Sequence, residues 1–185
     1  MAITVRDATQ DDSLALMPLW DEIQAENTSL DVSVLLARIE MAQSETFRLL
    51  TAWDGEETVG IAMVAMADVG TWTELPAVQV SGLHVLSRAR RRGVAKALLN
   101  AALVCADNWG CNNLVVTVPP ASREANRFFA RLGFAPIATK RIVDTAALRR
   151  MISAEPKGLS AARLRRRLRE TTFDTDRPSV RDRFL

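Results

Sequence analysis

The densest chemistry in the sequence lies between Leu83 and Leu99, where Arg90-Arg91-Arg92-Gly93-Val94-Ala95 separates a strand-like run from a helical one. Gly93 and Ala95 carry little or no side chain, so a ligand can approach the backbone there. The first turn of the helix that follows presents free N–H groups and the positive end of its dipole, a setting suited to a pyrophosphate. Arg90, Arg91 and Arg92 would add charge-assisted hydrogen bonds to phosphate oxygens. The same residues also suit a basic loop on a solvated face, and a short glycine turn does not decide between the two. Other chemistries drop out early. Cys105, Cys111 and the single histidine, His84, match no metal-ligand spacing, so no metal is expected. The chain has four Trp and six Phe but no Tyr, so no phenol of its own can donate a proton.

The elements around this turn follow from hydrophobic periodicity. Ile3 to Arg6 reads as a strand, followed by a helix with Leu16, Leu19, Trp20 and Ile23 at helical spacing and a second from about Ser33 with Leu35, Leu36 and Ile39. Phe47 to Trp53 and Thr58 to Val69 form a hairpin about Asp54-Gly55. A third strand runs from about Ala77 to Leu86. Its apolar residues switch parity, from Val78 and Val80 to Leu83 and Val85, which predicts a β-bulge near Ser81-Gly82. A helix with Leu98, Leu99, Ala102 and Leu103 ends near Gly110. Asn113 to Val118 reads as a strand buried on both faces, Ser122 as the cap of a helix carrying Phe128 and Phe129, and Phe134 to Val143 as a last strand. This order predicts an α/β fold: a mixed central sheet with helices on both faces.

At 185 residues the chain is expected to form one domain with an appendage. Its 48% hydrophobic and 25% charged composition is that of a globular protein. The net charge of +2 divides unevenly: residues 1–143 carry −3 and residues 144–185 carry +5. No apolar run approaches the ~20 residues of a membrane span, and no signal-like segment opens the chain, so a cytoplasmic location and no membrane partner are expected.

The segment Arg90 to Ala95 resembles the cofactor-binding signature of the GNAT acetyltransferase superfamily, Gln/Arg-x-x-Gly-x-Gly/Ala at a helix start after a bulged strand. Phe128-Phe129-Ala130-Arg131-Leu132-Gly133-Phe134 is similar to the family's Phe-Tyr-x-x-Leu-Gly-Phe pattern except at one place. The opening Ile3 to Thr9 looks like the family's first strand and turn. The resemblance spans about residues 3–143, leaving 144–185 as a basic, helical C-terminal extension, and it implies a mostly antiparallel sheet of the GNAT kind.

The resemblance implies an N-acetyltransferase that moves an acetyl group from acetyl-CoA to a primary amine by direct attack in a ternary complex. The backbone amides from Arg90 through Arg91, Arg92, Gly93 and Val94 to Ala95 would hold the pyrophosphate. Leu83 and Val85 would pair with the pantetheine arm, and a backbone amide there would stabilise the thioester oxygen. Ser122, Asn126 and Phe129 would face the same cleft. Alternatively Ser122 is a helix cap, Asn126 a surface polar residue, and Phe129 a packing ring. Phe129 also stands where the family often has a tyrosine general acid. Loss of such an acid typically costs ~10²–10⁴ in rate, although a thiol of reference pKa ~8.5 can also leave and be protonated by water.

The attacking amine must be neutral, which calls for a base or a water relay. A bulged strand would bring Gln79, Ser81 and His84 onto one face beside the thioester, making His84 the first candidate base and Glu74 the second. The competing readings are a hydrogen-bonded structural histidine and a surface charge. The acceptor pocket is expected between the break at Glu26 to Asp31 and the loop from Gly70 to Leu75, where Glu26, Asp31 and Glu74 would attract a cation and Trp72 would form a wall.

In the extension, Ala146, Leu148 and Met151 suggest a short helix, and Ser160 would cap a second from Ala161 to Glu170 with a narrow apolar stripe among arginines. The stripe is expected to dock on the body or on a second subunit, as in a homodimer. The other readings are steering toward nucleic acid, and a non-catalytic acyl-CoA sensor or interaction module whose tail contacts nucleic acid or protein. The acceptor, a small-molecule or protein amine, is not set by these residues.

Overall fold

The structure is a computed structural model that describes residues 2–26, 31–42, 44–70 and 74–154. The chain divides into two compact units, Met1–Phe134 and Ala135–Leu185. In the first, β1 (Ile3–Asp7) leads to α1 (Met17–Glu26) and α2 (Val32–Met41). Then follow β2 (Phe47–Asp54), β3 (Glu57–Asp68), β4 (Pro76–Val85), α3 (Val94–Asn108), β5 (Leu114–Val116) and α4 (Arg123–Arg131). The sheet order is β1-β2-β3-β4-β5. The first four strands are antiparallel and β5 is parallel to β4. None of the described helices is long and apolar enough to cross a membrane.

The sheet holds helices on both faces. On one, α3 lies close over β3 because Gly60 has no side chain: a Cβ there would fall 2.7 Å from Val94 Cγ1 and 3.2 Å from Leu98 Cδ1. On the other, the Thr58 hydroxyl donates to the Ala15 carbonyl just before α1. Leu16, Leu19, Leu35 and Ile39 are buried, as the helical spacing predicted. Asp31 caps α2 by accepting the Ser33 N–H at 2.8 Å.

The expected bulge is present. Ile61 pairs with His84 and Met63 with Ser81, so Gly82 and Leu83 together oppose Ala62, with Gly82 at φ +57°. Because Ala65, Met63 and Ile61 alternate regularly, their partners Gln79, Ser81 and His84 share one face, that of α1 and α2.

One expected strand is absent, and two other expectations hold only in part. Residues 135–143 form no strand: Ile137, Ile142 and Val143 are exposed, and among the described residues no strand pairs with them. Isoleucine, valine and threonine make a segment strand-compatible, but a strand exists only with a partner. The strand expected from Asn113 to Val118 contracts to Leu114–Val116 and is only half-buried, because Pro119 and Pro120 supply no N–H and β4 turns away at its bulge. Ser122 stands at the N-cap of α4 without a side-chain bond to the helix. In the second unit, the short helix expected around Leu148 is α5 (Thr145–Ala154). The helix expected from Ala161 to Glu170 lies outside the described residues.

Candidate functional site

Two breaks in hydrogen bonding meet near the start of α3. The first is the loop between β4 and α3. A short 3-10 turn, Ser87–Ala89, gives way to extended Arg90, then to Arg91 at φ +63° and Gly93 at φ +88°. Alternating backbone of this kind turns successive amides toward one side. Among the described residues, none of the N–H groups from Arg91 to Lys96 finds a protein acceptor. A Cβ on Gly93 would meet nothing within 4 Å, so the backbone there is open to an incoming group.

The second is the edge of β4. β5 pairs with it only from Val78 to Val80. Past the bulge, the Leu86 N–H bonds back to the Val59 carbonyl at 3.0 Å, so Leu83 and Val85, at odd offsets from it, turn their backbone groups toward the side that β5 has left. The resulting notch is a strand edge leading into a loop of unpaired amides.

The arginines divide their work. Arg92 pairs with Asp54 on the β2–β3 hairpin, whose carboxylate is 8% exposed and whose Oδ1 has no partner among the described residues. Arg90 Nε reaches the Val85 carbonyl at 3.4 Å. Arg91 makes no side-chain bond to the described residues and is free to meet an anion. Arg88, just upstream, pairs with Glu57.

The sequence model of the Acetyltransferase (GNAT) family matches residues 14–134, which contain both breaks. The chain belongs to the GNAT acetyltransferase family. Among solved structures, similar ones include a transcriptional regulator from Bacillus halodurans C-125, at 26% identity over 77% of this chain and 99% of that one, TM-score 0.65. Aminoglycoside N-acetyltransferase AAC(6')-Iy in complex with CoA shares 22% identity over 77% and 93%, TM-score 0.65. A ribosomal-protein-alanine N-acetyltransferase from Brucella melitensis biovar Abortus 2308 shares 18% over 77% and 99%, TM-score 0.63. Likeness at 22% and 18% identity establishes the shared GNAT fold. No curated protein sequence matches the chain significantly.

Within this GNAT chain, the other expected site residues occupy distinct settings. Asn126 Nδ2 donates to the Ser122 carbonyl at 2.8 Å, stitching the first turn of α4. The Phe129 ring is 8% exposed and packs edge-on against Phe128 and Phe134, with centroids 5.1 and 5.3 Å away. Glu74 is exposed, and Asp31 is committed to capping α2. Trp72 and the side chain of Glu26 lie outside the described residues, and so does much of the expected acceptor pocket. Among the described residues no cluster of three metal-ligating side chains occurs.

His84 has a partner that its sequence neighbourhood does not show. Its Nε2 lies 3.3 Å from Glu22 Oε2 on α1. Burial raises the proton affinity of Glu22, but the Ser87 N–H, the His84 ring and the Ser87 hydroxyl outweigh it and hold the carboxyl below its ordinary value. One signal for Glu22 was available: it lies three residues after Leu19, on the flank of the buried stripe of α1. The role of Gly60 was also signalled, since a glycine inside an apolar strand marks close approach of another element.

Proposed function

We propose that this GNAT protein is an acetyl-CoA-dependent N-acetyltransferase acting on a primary amine, with residues 1–143 as the catalytic unit and 144–185 as a basic extension. The observation that carries the reading is the run of N–H groups from Arg91 to Lys96 that find no acceptor among the described residues, opening beside the edge of Leu83 and Val85 that β5 does not cover. The run would offer several adjacent donors to a pyrophosphate, and the helix dipole adds to them. The strand edge offers backbone donors and acceptors to a pantetheine amide, although the Val85 carbonyl already accepts Arg90 Nε at 3.4 Å, so acetyl-CoA fits as co-substrate.

In the proposed reaction the amine nitrogen attacks the thioester carbon while a β4 amide at the notch stabilises the developing oxyanion. The new N–C bond forms, the C–S bond breaks, the amine's proton passes to His84, and the thiolate takes a proton from water. Arg91 meets phosphate, and Arg92 acts indirectly by holding the loop to Asp54. Glu74, exposed beside the acceptor loop, is the second candidate base. Ser122, Asn126 and Phe129 contribute the far wall of the cleft.

Calorimetry with CoA and an acceptor screen with acetyl-CoA, following thiol release, test this reading. Binding at micromolar to millimolar CoA and release above buffer hydrolysis are expected, and no heat at millimolar CoA would refute it. His84→Gln is expected to lower kcat/KM, and an unchanged kcat/KM would end its role as the base. The absence of tyrosine favours a second reading, an acyl-CoA sensor. Tight CoA binding without turnover on any amine would select it.

A further inference from the structure

The proposed base is anchored from outside its own strand. Glu22 Oε2 faces His84 Nε2 at 3.3 Å and accepts the Ser87 N–H at 3.1 Å and the Ser87 hydroxyl at 3.2 Å. One carboxylate on α1 thus ties the bulged end of β4 to the 3-10 turn that opens the amide loop. The His84 side chain is 11% exposed, and among the described residues Glu22 is the charged group in contact with it. Gln79 and Ser81, on the same face, are neutral. His84 Nδ1 has no protein partner among the described residues, and it is not a sealed orphan: the buried side-chain atoms without partners are Trp20 Nε1 and Asp54 Oδ1.

An ionised carboxylate only accepts, so the ring nitrogen facing it must carry hydrogen. A neutral imidazole has one N–H, and placing it on Nε2 leaves the lone pair on Nδ1. We propose that Glu22 is a positioning residue that fixes His84 in its Nε2–H form and leaves Nδ1 as the proton acceptor for the attacking amine. This rests on the acetyl-transfer reading above. As the N–C bond forms, the amine's proton moves to Nδ1, and the imidazolium is neutralised in place by Glu22 until it returns the proton to solvent. The shared contact with Ser87 fixes the base relative to the loop that holds the co-substrate, which is the constraint a ternary-complex reaction imposes.

The chain has a single histidine, so tag-free protein labelled with 15N in its imidazole gives one pair of ring nitrogen signals, both from His84. At alkaline pH, where the ring is neutral, the wild type is expected to show hydrogen on Nε2. Glu22→Gln keeps an acceptor for Ser87, but its amide turns to suit either tautomer, so the Nε2–H preference is expected to weaken. kcat is expected to fall roughly 10–100-fold, part of what a lost base costs, with KM for acetyl-CoA and thermal midpoint little changed. Glu22→Asp, which keeps the charge, is expected to recover part of kcat. Hydrogen on Nδ1 in the wild type, or an unchanged tautomer and kcat in Glu22→Gln, overturns the inference. An Nε2–H ring in a protein that binds CoA but acetylates no amine overturns the acetyl-transfer reading instead.

Discussion

Gly60→Ala tests whether the amide loop is positioned by a close contact between helix and sheet. The added Cβ would lie 2.7 Å from Val94 Cγ1, 3.2 Å from Leu98 Cδ1 and 3.3 Å from the His84 carbonyl oxygen. The first distance is shorter than packed carbons tolerate, and Val94 is buried with few ways to move. Overpacking of this kind costs about 1–3 kcal/mol. At roughly 2–4 °C per kcal/mol for a chain of this length, the thermal midpoint is expected to drop by about 2–12 °C. Val94 is also the first residue of α3, so displacing it moves the amides of Gly93 to Lys96 and is expected to weaken CoA binding by calorimetry. Val94→Ala removes the clashing methyls and keeps the backbone N–H. In that background Gly60→Ala is expected to cost much less, with a coupling of about 1 kcal/mol or more between the two positions. If Gly60→Ala leaves both stability and CoA affinity unchanged, or the two changes are additive, the close-approach account is wrong.

Arg92→Ala is expected to destabilise by about 1–3 kcal/mol, because it strands a carboxylate that already has one unpartnered oxygen, and Asp54→Asn in the same chain is expected to recover most of that loss. Equal thermal midpoints for wild type and Arg92→Ala would remove Asp54 as the anchor of the loop. Asp12 is held at about 2, against an ordinary 3.8, first by the Arg6 guanidinium, with both oxygens 2.6 Å from its nitrogens, against the opposing effect of burial. A depressed folded value stabilises above the unfolded value and fades as pH falls from 3.8 through 2. Asp12→Asn is therefore expected to cost about 2 kcal/mol at pH 7, and its deficit in denaturant melts is expected to shrink below pH 4. Truncation after Val143 is expected to leave CoA binding intact. Salt-sensitive RNA retention by the full chain, lost on truncation, would instead assign the +5 extension to nucleic acid.

What the sequence made legible was local. The bulge could be read because a parity switch between Val80 and Leu83 records it within a few residues. The amide loop could be read because glycine placement and a helix start coincide over six. What was not legible depended on partners far along the chain. His84 and Glu22 are 62 residues apart, and although periodicity sets Glu22 on the flank of the buried stripe of α1, it does not say which strand that flank meets. The run from Phe134 to Val143 carries strand-forming residues but has no partner among the described residues, and Asp31, read as an attractant for a cation, also caps α2.

Phe129→Tyr tests whether the missing phenol has a cost. Phe129 packs edge-on to two rings, so a hydroxyl added to it is either buried without a partner, at about 1–3 kcal/mol, or emerges into the cleft. The proposed reaction needs no donor there, because a thiol of reference pKa ~8.5 leaves readily near neutrality and water can protonate it. The expected result is a lower thermal midpoint with kcat unchanged or reduced. A working general acid would raise kcat by up to ~10²–10⁴, far beyond measurement error. An increase of that order with CoA affinity preserved would show that the ring edge reaches the reacting sulfur and that thiolate protonation limits the wild type. The two proton transfers are separable in the proposed chemistry: the amine's proton leaves through His84 and the thiolate's arrives from water. Glu22→Gln should therefore slow the reaction equally in the wild-type chain and in the Phe129→Tyr background, and a Glu22 effect that vanishes once the phenol is present would mean that thiolate protonation passes through the histidine after all.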